Sequence, residues 1–142
     1  MYFLKTEESF DAAHFLKGYN GKCKNIHGHR WRVEVEICGE ELNKEGQYRG
    51  MLVDFSVLKR DLKNAVDLLD HKILIEKDVL DLKMLSFLEE EKYEYVKLDN
   101  IPTAENLAKY FCDQLKNKDY NIHFVRIYET PNNCITYAEE FK

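Results

Sequence analysis

A stretch of strict alternation constrains the fold more than any other feature of the sequence. From His29 to Cys38 the chain reads His-Arg-Trp-Arg-Val-Glu-Val-Glu-Ile-Cys, so apolar or aromatic residues alternate with charged ones. Successive side chains of a β-strand point to opposite faces, and this pattern therefore predicts a strand with one buried face and one face in water. His27 has the parity of the buried set and shares that face if the strand begins earlier.

Helical periodicity occurs in two other segments, and the remaining regular segments have the composition of strands. The first helix follows Asp54 or Ser56 as its N-cap, and the second follows Thr103. A Thr-Pro-Asn-Asn turn joins the last two predicted strands as a hairpin. The other predicted strands are residues 2–14, 122–130 and 134–141.

The order of these elements predicts an α+β domain that covers residues 1–142. We expect a four-stranded antiparallel sheet with two helices on one face. Residues 76–101 show weaker patterns, with a short helix over 79–88 and a short strand over 93–98. Because the two edges of such a sheet must be paired or covered, the sequence also favours oligomerisation through the sheet.

Composition narrows the class of protein. The 142 residues carry a net charge of −5, which argues against a general nucleic-acid binder, and no apolar run is long enough to cross a membrane. The N-terminal residues lack the basic start and long apolar run of a signal peptide, so we expect a cytoplasmic protein. The four cysteines form no CxxC pair and are expected to be reduced.

Three of the five histidines have positions that favour a metal site. His27 and His29 are two residues apart on a predicted strand, so their side chains point the same way. His14 ends the first strand, and pairing of the first two strands would bring it beside them. Three neutral imidazoles favour zinc, and a three-histidine zinc site typically keeps one coordination position open. The alternative is a set of ordinary packed histidines.

Cys23 precedes the histidine pair in Cys-Lys-Asn-Ile-His-Gly-His and leaves two interpretations open. As a fourth ligand it would close a structural zinc site. As a free thiolate beside the ion it would act as a base or nucleophile.

Other polar residues are candidates with simpler alternatives. Asp70 can orient the imidazole of His71, although a histidine at a helix C-terminus also interacts with the helix dipole. Glu129 falls on the apolar face of its strand, where a substrate with N–H donors would compensate a carboxylate, or it already turns to water at the strand end. Glu105 is stabilising in the first turn of a helix whatever its function. Solvated surface charge is the simpler interpretation of the cations near the histidines, which are Lys17, Lys22, Lys24 and Arg30.

Taken together, these motifs resemble those of the 6-pyruvoyl-tetrahydropterin synthase superfamily, in the same order and over almost the whole chain. The Cys-x-x-x-His-Gly-His spacing resembles in particular the bacterial 6-carboxy-5,6,7,8-tetrahydropterin synthases of queuosine biosynthesis. The motifs are Phe-Asp-Ala-Ala-His14, Cys23-x-x-x-His27-Gly-His29, Leu-Asp70-His71-Lys, Pro-Thr-Ala-Glu105-Asn and Ile-Tyr-Glu129-Thr.

The resemblance implies a T-fold whose subunits join their sheets into a barrel, commonly as a hexamer made of two trimers. It implies zinc on the three histidines and Cys23 as a catalytic acid or base rather than a permanent ligand. Asp70 and His71 would be its proton-relay partners, from a neighbouring subunit. Glu129 would anchor the pterin ring, with Glu105 and Thr103 as further substrate-binding residues.

The implied reaction converts 7,8-dihydroneopterin triphosphate to 6-carboxy-5,6,7,8-tetrahydropterin, with release of acetaldehyde and triphosphate. Two alternatives share these residues. One is the sister enzyme that makes the pyruvoyl product, and the other is a non-catalytic zinc-binding or pterin-binding protein with Cys23 as fourth ligand.

Overall fold

A computed structural model describes residues 1–139 of the chain. The described residues form one six-stranded sheet with three α-helices. A short 3-10 helix at Lys22–Lys24 lies in the connection between the first two strands. The strands are β1 (Tyr2–His14), β2 (His27–Gly39), β3 (Lys72–Glu76), β4 (Tyr95–Leu98), β5 (Ile122–Thr130) and β6 (Asn133–Tyr137). The helices are α1 (Phe55–Asp67), α2 (Leu82–Glu90) and α3 (Ala104–Lys116).

The sheet has the strand order β4-β3-β1-β2-β5-β6. Its centre is the long antiparallel pair of β1 and β2, which runs from Tyr2 opposite Gly39 to His14 opposite His27. β5 and β6 extend the sheet on one side in antiparallel fashion. β3 and β4 extend it on the other side, and both of these pairings are parallel.

The α+β class is confirmed, but the prediction of a four-stranded, wholly antiparallel sheet with two helices is wrong. β3 was missed because Lys-Ile-Leu-Ile-Glu is short and continuously apolar at its centre, which gives no periodicity. The weaker pattern over 79–88 corresponds to α2, which lies two to three residues further along the chain, and the pattern over 93–98 corresponds to β4, which starts two residues later and ends at the same residue. β6 starts one residue before the predicted 134–141, and the end of that prediction lies outside the described residues.

Side-chain caps start the two helices that cover the sheet. The Asp54 carboxylate accepts from the backbone N–H of Ser56 at 2.7 Å, which makes Asp54 the N-cap of α1. The Thr103 hydroxyl accepts from the N–H of Asn106 at 3.3 Å and caps α3. α1 packs on β1, α3 packs on β5 and β6, and the two helices contact each other.

The alternation along β2 separates the core from a charged face. Trp31, Val33 and Val35 are fully buried in the core beneath the helices. The residues between them belong to the opposite face, where Arg32 donates to the carboxylate of Glu34 at 2.8 Å. None of the helices in residues 1–139 is long and apolar enough to cross a membrane.

Candidate metal centre and active site

The first two strands bring three histidines together where their pairing ends. His14 lies directly opposite His27, and His29 lies opposite Ala12, two residues before His14. The ring centroids are 4.6 Å apart for His14 and His27, 4.9 Å for His27 and His29, and 5.1 Å for His14 and His29. One ring nitrogen from each lies within 4.8 Å of the other two. The convergence predicted from strand parity is therefore present.

Two backbone carbonyls fix the orientation of the imidazoles. His14 Nδ1 lies 2.7 Å from the carbonyl oxygen of Pro102, and His27 Nδ1 lies 2.7 Å from that of Asn25. A carbonyl oxygen can only accept, so each Nδ1 carries the hydrogen and donates it. The neutral rings then present the lone pair of Nε2 to the centre of the cluster, as metal-binding histidines do.

The three rings are suited to a shared cation. The Nε2 atoms of His14 and His27 are 3.1 Å apart, and with the hydrogen of each ring on Nδ1 their lone pairs face each other. Nitrogens on one tetrahedral zinc ion lie about 3.3 Å apart, given Zn–N bonds of about 2.05 Å. The buried Nε2 of His29 has no hydrogen-bond partner among the described residues. A metal ion bound by the three nitrogens would remove the repulsion and satisfy this atom.

Burial favours the neutral, metal-binding form of His14 and His29. Desolvation lowers the pKa of His14, and it outweighs the hydrogen bond to Pro102, which acts in the opposite direction. Burial likewise lowers the pKa of His29, and the nearby Glu129 carboxylate only partly opposes it. Trp31 packs against His14 and His29, at centroid distances of 5.0 and 5.3 Å, and shields them from water on the core side. Neutral imidazoles suit zinc, copper, iron or nickel.

Cys23 lies apart from the cluster of ring nitrogens. It occupies the centre of the 3-10 helix, is half-buried, and is held through its backbone carbonyl, which accepts from the N–H of Leu16 at 2.9 Å. In the described part of the chain, the cluster of potential ligand atoms at this site contains the three histidines without the Cys23 sulfur.

Glu129 reaches the same centre from β5. Val125 and Ile127 on the same face of the strand are fully buried, as the alternation predicts. Glu129 is half-buried at the strand end, and its Oε1 lies 3.4 Å from Nε2 of His29. That distance is within ion-pair range, but the atoms are not aligned as a hydrogen bond. The carboxylate thus stands at the edge of the site, with acceptor capacity for a ligand.

Asp70 and His71 form a second cluster on the turn after α1. The helix ends at Asp67, so Asp70 and His71 lie beyond its C-terminus and not in its last turn. Asp70 Oδ2 lies 3.0 Å from Nδ1 of His71, and its Oδ1 accepts from the backbone N–H of Asp11 at 2.9 Å. The N–H of His71 donates to the carbonyl of Asp11 at 2.6 Å. His71 has a left-handed backbone with φ 57°, which is uncommon for a residue other than glycine. The backbone N–H and carbonyl of Asp11 hold this conformation through their hydrogen bonds to Asp70 and His71.

The Asp70 carboxylate should contribute to stability in a pH-dependent way. Its pKa lies below the ordinary value of 3.8, chiefly because the Asp11 N–H donates to the ionised form. A depressed folded-state pKa gives stability that is present above the unfolded pKa and is lost as the pH falls through the folded value. We therefore expect Asp70→Asn to lower the free energy of unfolding at neutral pH, with a smaller difference from wild type at pH about 3.

Urea denaturation at the two pH values measures this difference. Asp99→Asn is the matched control, because Asp99 is exposed and its side chain makes no hydrogen bond within residues 1–139. A difference between Asp70→Asn and wild type that stays constant with pH would contradict the role assigned to the Asp11 N–H.

The predicted residues at the start of α3 lie beside the cluster rather than in it. The Thr103 hydroxyl is used as the N-cap, and Glu105 is exposed in the first helical turn. The residue that touches the cluster is Pro102, through its carbonyl. The sequence analysis missed Pro102, Asn25 and Asp11, because each acts through backbone groups that carry no residue-specific signal.

Known proteins resemble this chain over nearly its full length. The family model described as 6-pyruvoyl tetrahydropterin synthase matches residues 3–140. The 6-carboxy-5,6,7,8-tetrahydropterin synthase of Haemophilus influenzae is 33% identical, over 98% of this chain and 100% of the relative. The enzyme of that name from Synechocystis is 32% identical, over 96% and 93%.

A solved structure supports the same relationship. The 6-pyruvoyl tetrahydropterin synthase of Caenorhabditis elegans is 28% identical and superimposes with a TM-score of 0.69, covering 98% of this chain and 96% of the worm protein. Fold, sequence and the order of motifs therefore agree, and the chain belongs to the 6-pyruvoyl tetrahydropterin synthase family.

Proposed function

We propose that this protein is a zinc-dependent 6-carboxy-5,6,7,8-tetrahydropterin synthase. It converts 7,8-dihydroneopterin triphosphate to the 6-carboxy product and releases acetaldehyde and triphosphate, in the cytoplasmic route to queuosine. The observation that carries the proposal is the cluster of three histidines with inward-facing Nε2 atoms beside Glu129. Relatives with this enzyme name are 32–33% identical to the chain over almost its whole length.

His14, His27 and His29 hold the zinc ion. When bound there, zinc supplies a Lewis acid that acidifies the side-chain hydroxyls of the pterin. Glu129 accepts hydrogen bonds from the amino and ring N–H groups of the pterin and so fixes the ring beside the histidines. The absence of the Cys23 sulfur from the ligand cluster supports an open position for the substrate.

Cys23 and His71 move protons between the substrate side chain and the pterin ring, which makes the redox change internal to the substrate. Asp70 Oδ2 lies 3.0 Å from Nδ1 of His71 and so orients the imidazole. Thr103 and Glu105 bound the substrate site from the start of α3, where the Pro102 carbonyl already holds His14.

A neighbouring subunit completes the site in this proposal. The His71 side chain is 76% exposed in the single chain, whereas a proton-transfer group works best where water is excluded. β4 and β6 are the open edges of the sheet in the described residues. Pairing of these edges into a T-fold barrel, as a hexamer of two trimers, would cover the exposed His71 side chain and leave neither edge open.

The test is anaerobic incubation of the zinc-loaded protein with dihydroneopterin triphosphate, followed by mass spectrometry of the pterin and an acetaldehyde assay. Carboxytetrahydropterin together with acetaldehyde is the expected result. A pyruvoyl pterin without acetaldehyde would assign the sister activity, which the family description and the C. elegans structure favour. Binding without turnover would assign a non-catalytic pterin-binding protein.

A further inference from the structure

The three imidazoles of the metal cluster are not held in the same way. His14 and His27 each have a backbone carbonyl at Nδ1, whereas the ring of His29 has no hydrogen-bond partner among residues 1–139. Histidines that bind metals almost always donate their second ring N–H to an acceptor, and this bond fixes the direction of the ligand nitrogen. A different contact therefore orients His29.

Trp31 packs against His29 from the core side. The centroid of its ring lies 5.3 Å from that of His29 and 5.0 Å from that of His14, with interplanar angles of 80° and 85°. These are edge-to-face contacts, a favourable geometry for aromatic pairs, and they restrict the rotation of the imidazoles. Trp31 follows His29 by two residues, so both side chains lie on the same face of β2.

The indole of Trp31 is itself fixed in position. Its side chain is fully buried, and its Nε1–H donates to the carbonyl of Ala12 at 3.2 Å. Ala12 lies directly opposite His29 in the pairing of β1 with β2, so this bond draws the indole towards His29. Phe10 stacks on the indole at a centroid distance of 6.2 Å. The indole cannot turn away from His29 without leaving a cavity and an unsatisfied N–H.

The other groups in contact with the His29 ring cannot orient it in this way. His14 and His27 are ligands of the same ion and occupy other corners of its coordination sphere. Glu129 Oε1 lies 3.4 Å from Nε2 of His29, which is the nitrogen assigned to the metal. A group at Nε2 competes with the ion and does not direct the nitrogen towards it.

We propose that Trp31 is a positioning residue of the metal centre, which orients His29 by packing in place of the hydrogen bond that orients each of the other two ligands. This inference rests on the ligand set of the proposed function. Without the indole, the His29 imidazole rotates and its Nε2 lone pair turns away from the centre of the cluster. An apolar contact in the core thus contributes to metal affinity without touching the ion.

The zinc affinity of the full-length protein, measured by competition with a chelator, tests this role without turnover. Trp31→Met replaces the rigid indole with a flexible side chain that adapts to the space. We expect it to raise the Kd for zinc about tenfold to hundredfold, the usual effect of removing a group that orients a ligand. Trp31→Phe keeps a flat ring beside His29 and should recover most of the affinity.

Phe111→Met is the matched control, because Phe111 is a fully buried aromatic residue that contacts Phe10 and Tyr110 and not the histidines. Both methionine variants should unfold at a lower temperature than wild type in the absence of metal. Only Trp31→Met should also change the visible spectrum of bound cobalt(II), which depends on ligand geometry. An equal rise in the zinc Kd for both variants would overturn the proposal, as would an unchanged Kd for Trp31→Met.

Wild-type protein provides a second measurement that does not require any variant to fold. Trp31 is the only tryptophan in the sequence, so the tryptophan fluorescence comes from this residue alone. Zinc is a d¹⁰ ion without redox chemistry, and a change in emission on binding reports movement of the imidazoles against the indole. We expect the intensity to change and the anisotropy to rise, because coupling acts in both directions. Emission and anisotropy that do not respond to zinc would overturn the proposal.

The proposed function can fail separately. If wild type binds zinc but does not turn over dihydroneopterin triphosphate, the enzyme assignment fails, and the zinc titrations still decide the role of Trp31. If wild type binds no zinc, the ligand set and the role of Trp31 are both wrong.

Discussion

Replacing His27 with alanine is expected to release the metal ion and reduce turnover by about a thousandfold or more, because the ion supplies several kcal/mol of transition-state stabilisation. His27 is the best of the three positions for this test. His14 is only 1% exposed, so its removal would also leave a cavity in the core. His27 is half-buried at the start of β2, and its loss should leave the sheet intact.

The measurement combines metal content, thermal unfolding and activity. Wild type should lose thermal stability when a strong chelator is added, because an ion that binds only the folded state stabilises it. His27→Ala should unfold at the same temperature with and without chelator. His123→Ala is the control, since His123 contacts Glu36 on the charged face and is not part of the cluster. Full metal content in His27→Ala would contradict the assigned ligand set.

Local patterns predicted the centre of the fold and the convergence of the histidines. The alternation from His29 to Cys38 fixes which face of β2 is buried, and the same parity places His27 and His29 on one side. Adding His14 needed only the assumption that β1 and β2, which are consecutive strands in the chain, pair with each other. The pairing of His14 with His27 follows from that arrangement.

Non-local pairing was outside the reach of sequence patterns. β3 pairs with β1 and β4 in parallel, and long crossover connections separate these partners in the chain. β3 itself has only five residues, which is too short to show a periodic pattern. The hydrogen bonds from His14 and His27 end on backbone carbonyls, which every residue type provides. Asp11 likewise holds Asp70 and His71 through its backbone N–H and carbonyl, so its residue type gives no signal of this role in the sequence.

Replacing Cys23 with alanine should separate the open site from the closed one. If Cys23 transfers protons and does not bind the metal, Cys23→Ala keeps its zinc and loses about a hundredfold to ten-thousandfold in turnover, the range for one acid–base group. Loss of zinc together with activity would instead make Cys23 a ligand. Cys134→Ala is the control, because Cys134 is exposed on β6 and does not belong to the histidine cluster.

Alkylation of the thiol then tests the same question without turnover. Cys38 and Cys112 are buried, so in a Cys134→Ala background Cys23 is the one accessible thiol among the remaining three. A free Cys23 should react while zinc is in place, because its sulfur lies outside the cluster of histidine nitrogens. A metal-bound thiolate would react only after a chelator removes the ion. The rate with zinc present therefore decides whether the half-buried thiol is available for chemistry, which an acid–base role at this position requires.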